Sequence, residues 1–510
     1  MKRQPPSSLL GRYGAPAVVF VAAMAMYLRT LLPGQAFDDW GEMQSVPHVL
    51  GIPHPTGYPT YVIVAWLFEL FPVGSIAFRS NLLSAVCIAV ALAGLTSLQQ
   101  RLGVRPIVAA GAALATGAIG TIWSSATVAE VNALHLAFIA LILDRSLAWA
   151  QDQRFRDLAL GGLLIGLSMG NHVLTAFVAP YVILFVLWSG RQTLSEHKAW
   201  ILTPVATMAL GAAVYLYLPI AASFNPPLPY NTPTTLDGFL FLVTGRQFAG
   251  QYGGLFTLQG PRVWISSLPD LWAIAVERAT VLLPFFGLLG VVVAFRRNRA
   301  FALVLVATLL TGTYIWANYL HLEHYLLVPW MVLGVLAGLA IDELGDAVAD
   351  LFTEGLAPIP GAAVSIGAVA LAAILISTNM PKQDLSQDHT AGTYVDNVLA
   401  LLPQDAAVIS YWGASTPLWY ATLVDHKRPD VLVVDDTNIV YEGWGTREAR
   451  IASLICERPV YLVRMSNKDV QLTQAQWDVT EVGKVNAAGG TFTSNVTVPV
   501  WRVERPATCP

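Results

Sequence analysis

Long apolar runs dominate the first 380 residues, and their length sets the class of protein before any motif is considered. A helix that crosses a bilayer needs about 20 mostly apolar residues. Runs of this kind fall at about 15–33, 76–98, 106–124, 128–149, 158–188, 199–219, 279–295, 300–320, 325–341 and 359–378. The stretch from Leu158 to Trp188 decides the count, because its 31 residues as one helix would rise about 46 Å against a hydrocarbon core of about 30 Å. Broken at Gly170-Asn171-His172, it makes two spans. Arg101, Arg105, Arg154, Arg156, Arg191, Lys198 and the group Arg296, Arg297 and Arg299 then share one side, as the positive-inside bias requires. The pattern predicts an all-α polytopic membrane protein of about eleven spans. Lys2, Arg3 and Arg12 precede the first span without a small-residue cleavage pattern, which predicts a retained anchor and a cytoplasmic N-terminus. Asp342, Glu343 and Asp346, after the tenth span, have no basic neighbour in the sequence.

After about residue 380 the pattern changes. Short β-rich runs (Ala407–Ser410, Val431–Val434, Val460–Val463 and Val496–Val503) alternate with helical stretches (Pro417–Val424 and Arg447–Cys456), which predicts a small α/β domain. Charge follows the same division. Residues 1–380 hold 18 Lys+Arg and 18 Asp+Glu, whereas the 130 residues from 381 onward hold 11 and 15. The expected organisation is a membrane body, 1–380, with external loops at 34–75 and 220–277, followed by a soluble extracytoplasmic domain, 381–510. The whole chain is only 12% charged, about half the fraction of a soluble domain, and its net charge of -4 gives no reason to expect a nucleic acid partner. Of three cysteines, Cys87 lies in an apolar run, and Cys456 and Cys509 are able to pair outside the membrane.

Polar residues that carry chemistry collect on the side opposite the arginines. Asp38, Asp39 and Glu42 follow the first span exit, where an ionised carboxylate is costly and therefore a functional candidate. Pro53, His54, Pro55, Gly57, Tyr58 and Pro59 then form a rigid loop returning toward the bilayer. Glu130, Asn132, His135, Asn171, His172, His321, Glu323 and His324 fall on the same face. These acids and histidines serve either an aqueous catalytic cavity or a divalent metal site. No segment carries a metal-ligand motif, and no cofactor is identified. In the second loop, Arg246 and Gln247 lie in an aromatic setting, and a guanidinium there suits a phosphate; Arg262 and Arg278 are alternatives. An ion-coupled transporter or lipid flippase would use the same acids and histidines as a relay, but no internal repeat supports it.

Asp39-x-Gly41-Glu42 followed by Leu50-Gly51-Ile52-Pro53-His54-Pro55-x-Gly57-Tyr58-Pro59 resembles the first-loop signature of a family of bacterial membrane proteins. These are related to the plexin-type protein O-mannosyltransferases of the GT-C glycosyltransferase superfamily. The likeness extends through Ala129-Glu130-Val131, Gly166-Leu167-Ser168 with His172, Tyr217-Leu218-Pro219-Ile220 with Asn225-Pro226-Pro227, and Thr244-Gly245-Arg246-Gln247-Phe248, and it covers roughly the first 250 residues. The chain departs at Thr56, where proline is frequent, at Ala221, where arginine is common, and at Phe248, where tyrosine is usual. The resemblance implies a GT-C-like body that moves a hexose, with mannose favoured, from a polyprenyl-phosphate donor to a protein or glycan hydroxyl at the outer face of the cell membrane. It implies Asp39 as the catalytic acid position, Glu42 as the second acid, orienting the acceptor or holding a metal, and Arg246 as a phosphate contact. Asp38, His54, Tyr58, Glu130, His172, Gln247 and His324 are expected to bind substrate. Direct displacement would invert the anomeric centre, with one carboxylate as base.

Overall fold

The computed structural model describes residues 9–231, 233–251, 255–351, 358–464, 467–489, 492–507 and 509. Lys2 and Arg3, which entered the expectation for the N-terminus, lie outside them. Among the described residues, seven helices are long and apolar enough to cross a membrane: Leu10–Thr30, Ile76–Arg101, Val131–Asp152, Lys198–Ser223, Arg299–Asn318, Glu323–Ala349 and Ile359–Gln383. Two bent pairs, Pro106–Gly117 with Gly120–Thr127 (72°) and Leu268–Ala279 with Leu282–Arg297 (115°), raise the number to nine. The break expected at Gly170-Asn171-His172 is present, between helices Phe155–Asn171 of 17 residues and Thr175–Ser189 of 15. Each is shorter than a full span needs, which accounts for the difference between nine spans and the expected eleven.

The helices pack closely because small residues let their backbones approach. A Cβ on Gly290 would lie 1.9 Å from the Leu336 carbonyl oxygen, and one on Gly166 2.1 Å from that of Met208. The arginine-rich end of the bundle is held by buried ion pairs. Arg101 meets Asp144 at 2.9 Å and Arg145 meets Asp157 at 2.8 Å. Asp342 is fully buried and receives Arg105 at 2.9 Å and Arg297 at 3.0 Å. The acidic stretch that lacked basic neighbours in the sequence therefore has them in space.

The opposite end carries the first loop, the second loop and the C-terminal sheet. The first loop contains two helices, Asp38–Ser45 and Pro59–Glu69. Ile52 bridges to Pro229 of the second loop, its N–H donating to the Leu228 carbonyl at 2.9 Å. The C-terminal unit contains β1 (Ala407–Ser410), β2 (Leu432–Asp435), β3 (Val460–Val463), β4 (Val479–Gly489) and β5 (Phe492–Val503), in the order β2-β1-β3-β5-β4. β1 pairs in parallel with β2 and β3, whereas β5 is antiparallel to β3 and β4. The predicted runs correspond to β1, β2, β3 and β5. β4 was not among them, because Thr480, Glu481, Lys484 and Asn486 interrupt its apolar residues. Cys456 and Cys509 form a disulfide.

The first loop and the C-terminal unit share a hydrophobic core. Phe37 packs among Tyr394, Val395, Val408 and Leu418, its ring 5.3 Å from that of Tyr394. Val46 packs with Trp419 in a second cluster.

Removing the buried acid of the arginine-rich end tests how that end is held. Asp342→Ala leaves two arginines without their shared partner and is expected to cost about 3 kcal/mol. Asp346→Ala, at the 43% exposed end of the same network, is expected to cost about 0–1 kcal/mol. Melting of both variants in detergent distinguishes the two, and equal losses would refute the assignment.

Candidate active site

The first loop is organised by a carboxylate that it cannot leave in water. Glu42 is 1% exposed, and burial raises its pKa. A buried carboxylate needs a partner and hydrogen bonds. The proline-rich return of the chain supplies both: Glu42 Oε1 accepts the His54 backbone N–H at 2.8 Å, and Oε2 bonds His54 Nδ1. On the other side of the ring, His54 Nε2 lies 3.1 Å from the Tyr58 hydroxyl, which itself donates to the Pro55 carbonyl at 3.0 Å. With that hydroxyl proton committed, both imidazole nitrogens act as donors, which is the imidazolium form. Burial pulls the His54 pKa down, but the carboxylates of Glu42 and Asp39 outweigh it and push it up to about 9.

Asp38 and Asp39 stand at the start of the same helix, Asp38 with a left-handed φ of 53° that Asp tolerates better than most residues. Asp39 is exposed to a cavity of about 580 Å³. The first loop contributes Asp38, Asp39, Trp40, His54 and Tyr58 to its walls, and the start of helix Val131–Asp152 contributes Glu130 and Asn132. His172 comes from the break between the short helices, Tyr230, Gln247 and Phe248 from the second loop, and His324 and Tyr325 from the turn before helix Leu327–Ala349. The C-terminal unit adds Trp412 and Thr437.

Neighbouring groups fix these side chains. Glu130 caps its helix through the Asn132 N–H at 3.1 Å and accepts from Trp40 Nε1 at 3.2 Å. The His172 ring stacks on buried His135 at 5.1 Å and lies 6.0 Å from Tyr58 and 6.3 Å from Tyr325. His324 meets Tyr325 edge-on at 4.5 Å. Gln247 donates to the Tyr230 hydroxyl at 2.8 Å. A small recess lined by Asn132, His135, Phe177, Ile315, His324 and Tyr325 leads from this wall between the helices.

Of the ten residues given roles by the resemblance, eight line the cavity: Asp38, Asp39, His54, Tyr58, Glu130, His172, Gln247 and His324. Two do not. Glu42 lies beneath His54, so its contact is with that imidazole and not with the cavity. Arg246 turns away to Asp237 at 3.0 Å and is 45% exposed. Of the alternatives, Arg278 is tied to Glu323 at 2.8 Å. Among the described residues no lysine or arginine lines the cavity, whereas three histidines, His54, His172 and His324, do. His321 packs on Trp316 and so does not join His324 as a ligand pair. Trp412, Tyr230, Thr437 and Tyr325 were not anticipated, and only Tyr325, next to His324, had any local signal.

Asp39, Glu42 and His54 each present a ligand atom, all within 4.8 Å of one another. Two carboxylates and an imidazole suit a divalent cation. Binding one there would displace the proton shared by Glu42 and His54.

Comparison with known proteins bears on the fold first. The chain superposes on the crystal structure of ArnT from Cupriavidus metallidurans bound to undecaprenyl phosphate with a TM-score of 0.54 at 13% identity, over 98% of this chain and 99% of that one. The fold is the GT-C fold. Residues 39–195 match the family described as protein O-mannosyl-transferase TMEM260 N-terminal domain, the segment that supplies Asp39, His54, Glu130 and His172 to the GT-C cavity. The protein O-mannosyl-transferase TMEM260 of Mus musculus is 27% identical over 86% of this chain, and that of Dictyostelium discoideum is 21% identical over 81%. This chain spans 65% and 56% of the lengths of those relatives.

The Glu42–His54 pair carries a pH signature. The unfolded chain releases the imidazole proton near pH 6.5, whereas the folded protein holds it to about 9, so stability is full below the lower value and declines as pH rises through the upper. The melting temperature is expected to drop by several degrees between pH 6.5 and pH 9.5, and this drop should shrink in His54→Gln. Parallel profiles in the two proteins would contradict it.

Proposed function

We propose that this protein is an integral membrane glycosyltransferase that moves mannose from a polyprenyl-phosphate donor to a hydroxyl of a protein acceptor, with inversion at the anomeric carbon. The observation that carries the reading is one cavity in which the exposed Asp39 carboxylate is joined by His172 and His324, beside a recess entering the helical body. The sugar and the acceptor follow the similar proteins, which are protein O-mannosyl-transferases by name. The lipid follows ArnT, whose structure holds undecaprenyl phosphate.

In this reading the isoprenoid begins at the apolar side chains around the recess, Phe177, Val178, Ile315 and Leu327, and runs on into lipid, and its phosphate meets His172, His324 and Tyr325. Imidazole and phenol hydrogen-bonding groups replace the expected Arg246 as phosphate partners because the guanidinium is engaged elsewhere. The acceptor oxygen attacks the anomeric carbon while Asp39 takes its proton. The bond from that carbon to the phosphate oxygen breaks, and the polyprenyl phosphate leaves with the electron pair and its charge facing the histidines. His54, kept cationic by Glu42, adds positive charge near the developing alkoxide and the sugar. Asp38, Tyr58, Glu130 and Gln247 supply hydrogen-bonding groups for sugar hydroxyls.

We assign the cavity side to the outer face of the cell membrane and divide the chain at about residue 380 into a membrane body and an extracytoplasmic domain. Two observations support that assignment. The Cys456–Cys509 disulfide belongs to an oxidising compartment. The arginine-rich end lies on the opposite side, as the positive-inside bias expects of a cytoplasmic face.

Purified protein given polyprenyl-phosphate mannose and a Ser/Thr-bearing acceptor protein is expected to release polyprenyl phosphate and label the acceptor. Asp39→Asn should lower kcat on the order of 10²- to 10⁴-fold. His172→Gln and His324→Gln should each raise the donor KM on the order of tenfold, and Arg246→Ala should leave it unchanged. Transfer that survives Asp39→Asn would remove the base, and loss of donor binding in Arg246→Ala would return the phosphate to the arginine.

A further inference from the structure

Proton abstraction by Asp39 requires a carboxylate held in one orientation, and the group that holds it comes from the far end of the chain. Trp412 Nε1 donates to Asp39 Oδ1 at 2.7 Å across a sequence separation of 373 residues. An indole N–H is a donor only, with no lone pair to compete for the acceptor's proton and no titration of its own. Bound to Oδ1, it leaves Oδ2 for the incoming hydroxyl.

Trp412 is itself placed with little freedom. It follows the carboxyl end of β1, and Thr437, which also lines the cavity, follows that of β2. The carboxyl ends of parallel strands are where open α/β sheets present functional groups. The indole packs edge-on against His54 at 5.8 Å, Tyr230 at 5.8 Å and Trp419 at 5.5 Å. Helix Trp412–Trp419 and the Asp39-bearing helix approach through glycines on both sides. A Cβ on Gly413 would stand 2.1 Å from Asp38 Oδ1, and one on Gly41 2.8 Å from Thr416 Oγ1. With Phe37 in the core of the C-terminal unit, the distance from indole to carboxylate is set by packing on both partners.

We infer that Trp412 is a positioning residue for the sugar transfer, so that the C-terminal unit completes the catalytic site and does not merely receive the acceptor. This inference rests on the reading of Asp39 as the base. In the full-length protein, Trp412→Phe keeps an aromatic ring and removes the N–H. It is expected to lower kcat on the order of 10- to 100-fold, with the donor KM and the melting temperature retained. A wild-type kcat in Trp412→Phe overturns the inference, as does a loss seen wholly in KM or in melting temperature. A second measurement needs no transfer. In protein carrying ¹⁵N only in tryptophan indoles, the Trp412 resonance, identified by its disappearance in Trp412→Phe, should shift in Asp39→Ala. An unmoved resonance shows that the hydrogen bond is absent and overturns the inference while leaving the proposed function standing. Absence of transfer by the wild-type protein, with the resonance shifting as expected, would instead sink the proposed function, and the catalytic role of Trp412 with it.

Discussion

The site is built around one buried charge. Glu42 sits where the chain has just left the helical body, and a carboxylate there is stable only with a cation and hydrogen bonds around it. His54 supplies these through its ring and its backbone N–H, which forces the loop to double back over twelve residues. That return brings Tyr58 against His172, joins Ile52 to the second loop, and places helix Asp38–Ser45 with Asp39 at its open end. Glu42 therefore anchors the loop that walls the cavity without lining it.

A second constraint sets the cavity's outer wall. The first loop would expose Phe37 and Val46 if it stood alone, and the C-terminal unit covers both within its own clusters. The same contact carries Trp412 to Asp39 and Thr437 to the cavity. Two regions that differ in charge density, and that the sequence presents as separate, thus contribute adjoining walls of one cavity. The sheet is oriented with the carboxyl ends of β1 and β2 toward the bundle, so the loops free to carry function lie where the chemistry is placed.

Among the described residues the cavity has no lysine or arginine in its lining, although it is proposed to receive a phosphate. The basic side chains of the helical body mostly go to its other end, where Arg105, Arg297, Arg101 and Arg145 neutralise buried acids. Arg246 and Arg278, the arginines near the cavity in sequence, are bound to Asp237 and Glu323. Histidines and tyrosines from four segments remain to face an anionic ligand. Imidazole offers a charge that depends on its surroundings, and His54 shows how a neighbouring carboxylate can secure it.

Sequence alone determined the class of the fold. Apolar runs of span length, the glycine-asparagine break near His172 and the alternation after residue 380 each reflect local physics: hydrophobic length, backbone permissiveness and side-chain period. It also identified the acids and histidines of the cavity, since charge and imidazole are scarce enough in an apolar chain to mark where they collect. Tertiary structure decided which contacts those residues make. That Arg246 meets Asp237, that Glu42 meets His54 and that Trp412 reaches Asp39 depends on contacts between segments up to 373 residues apart. No local pattern encodes such distances; they arise only when both partners are packed on the same core.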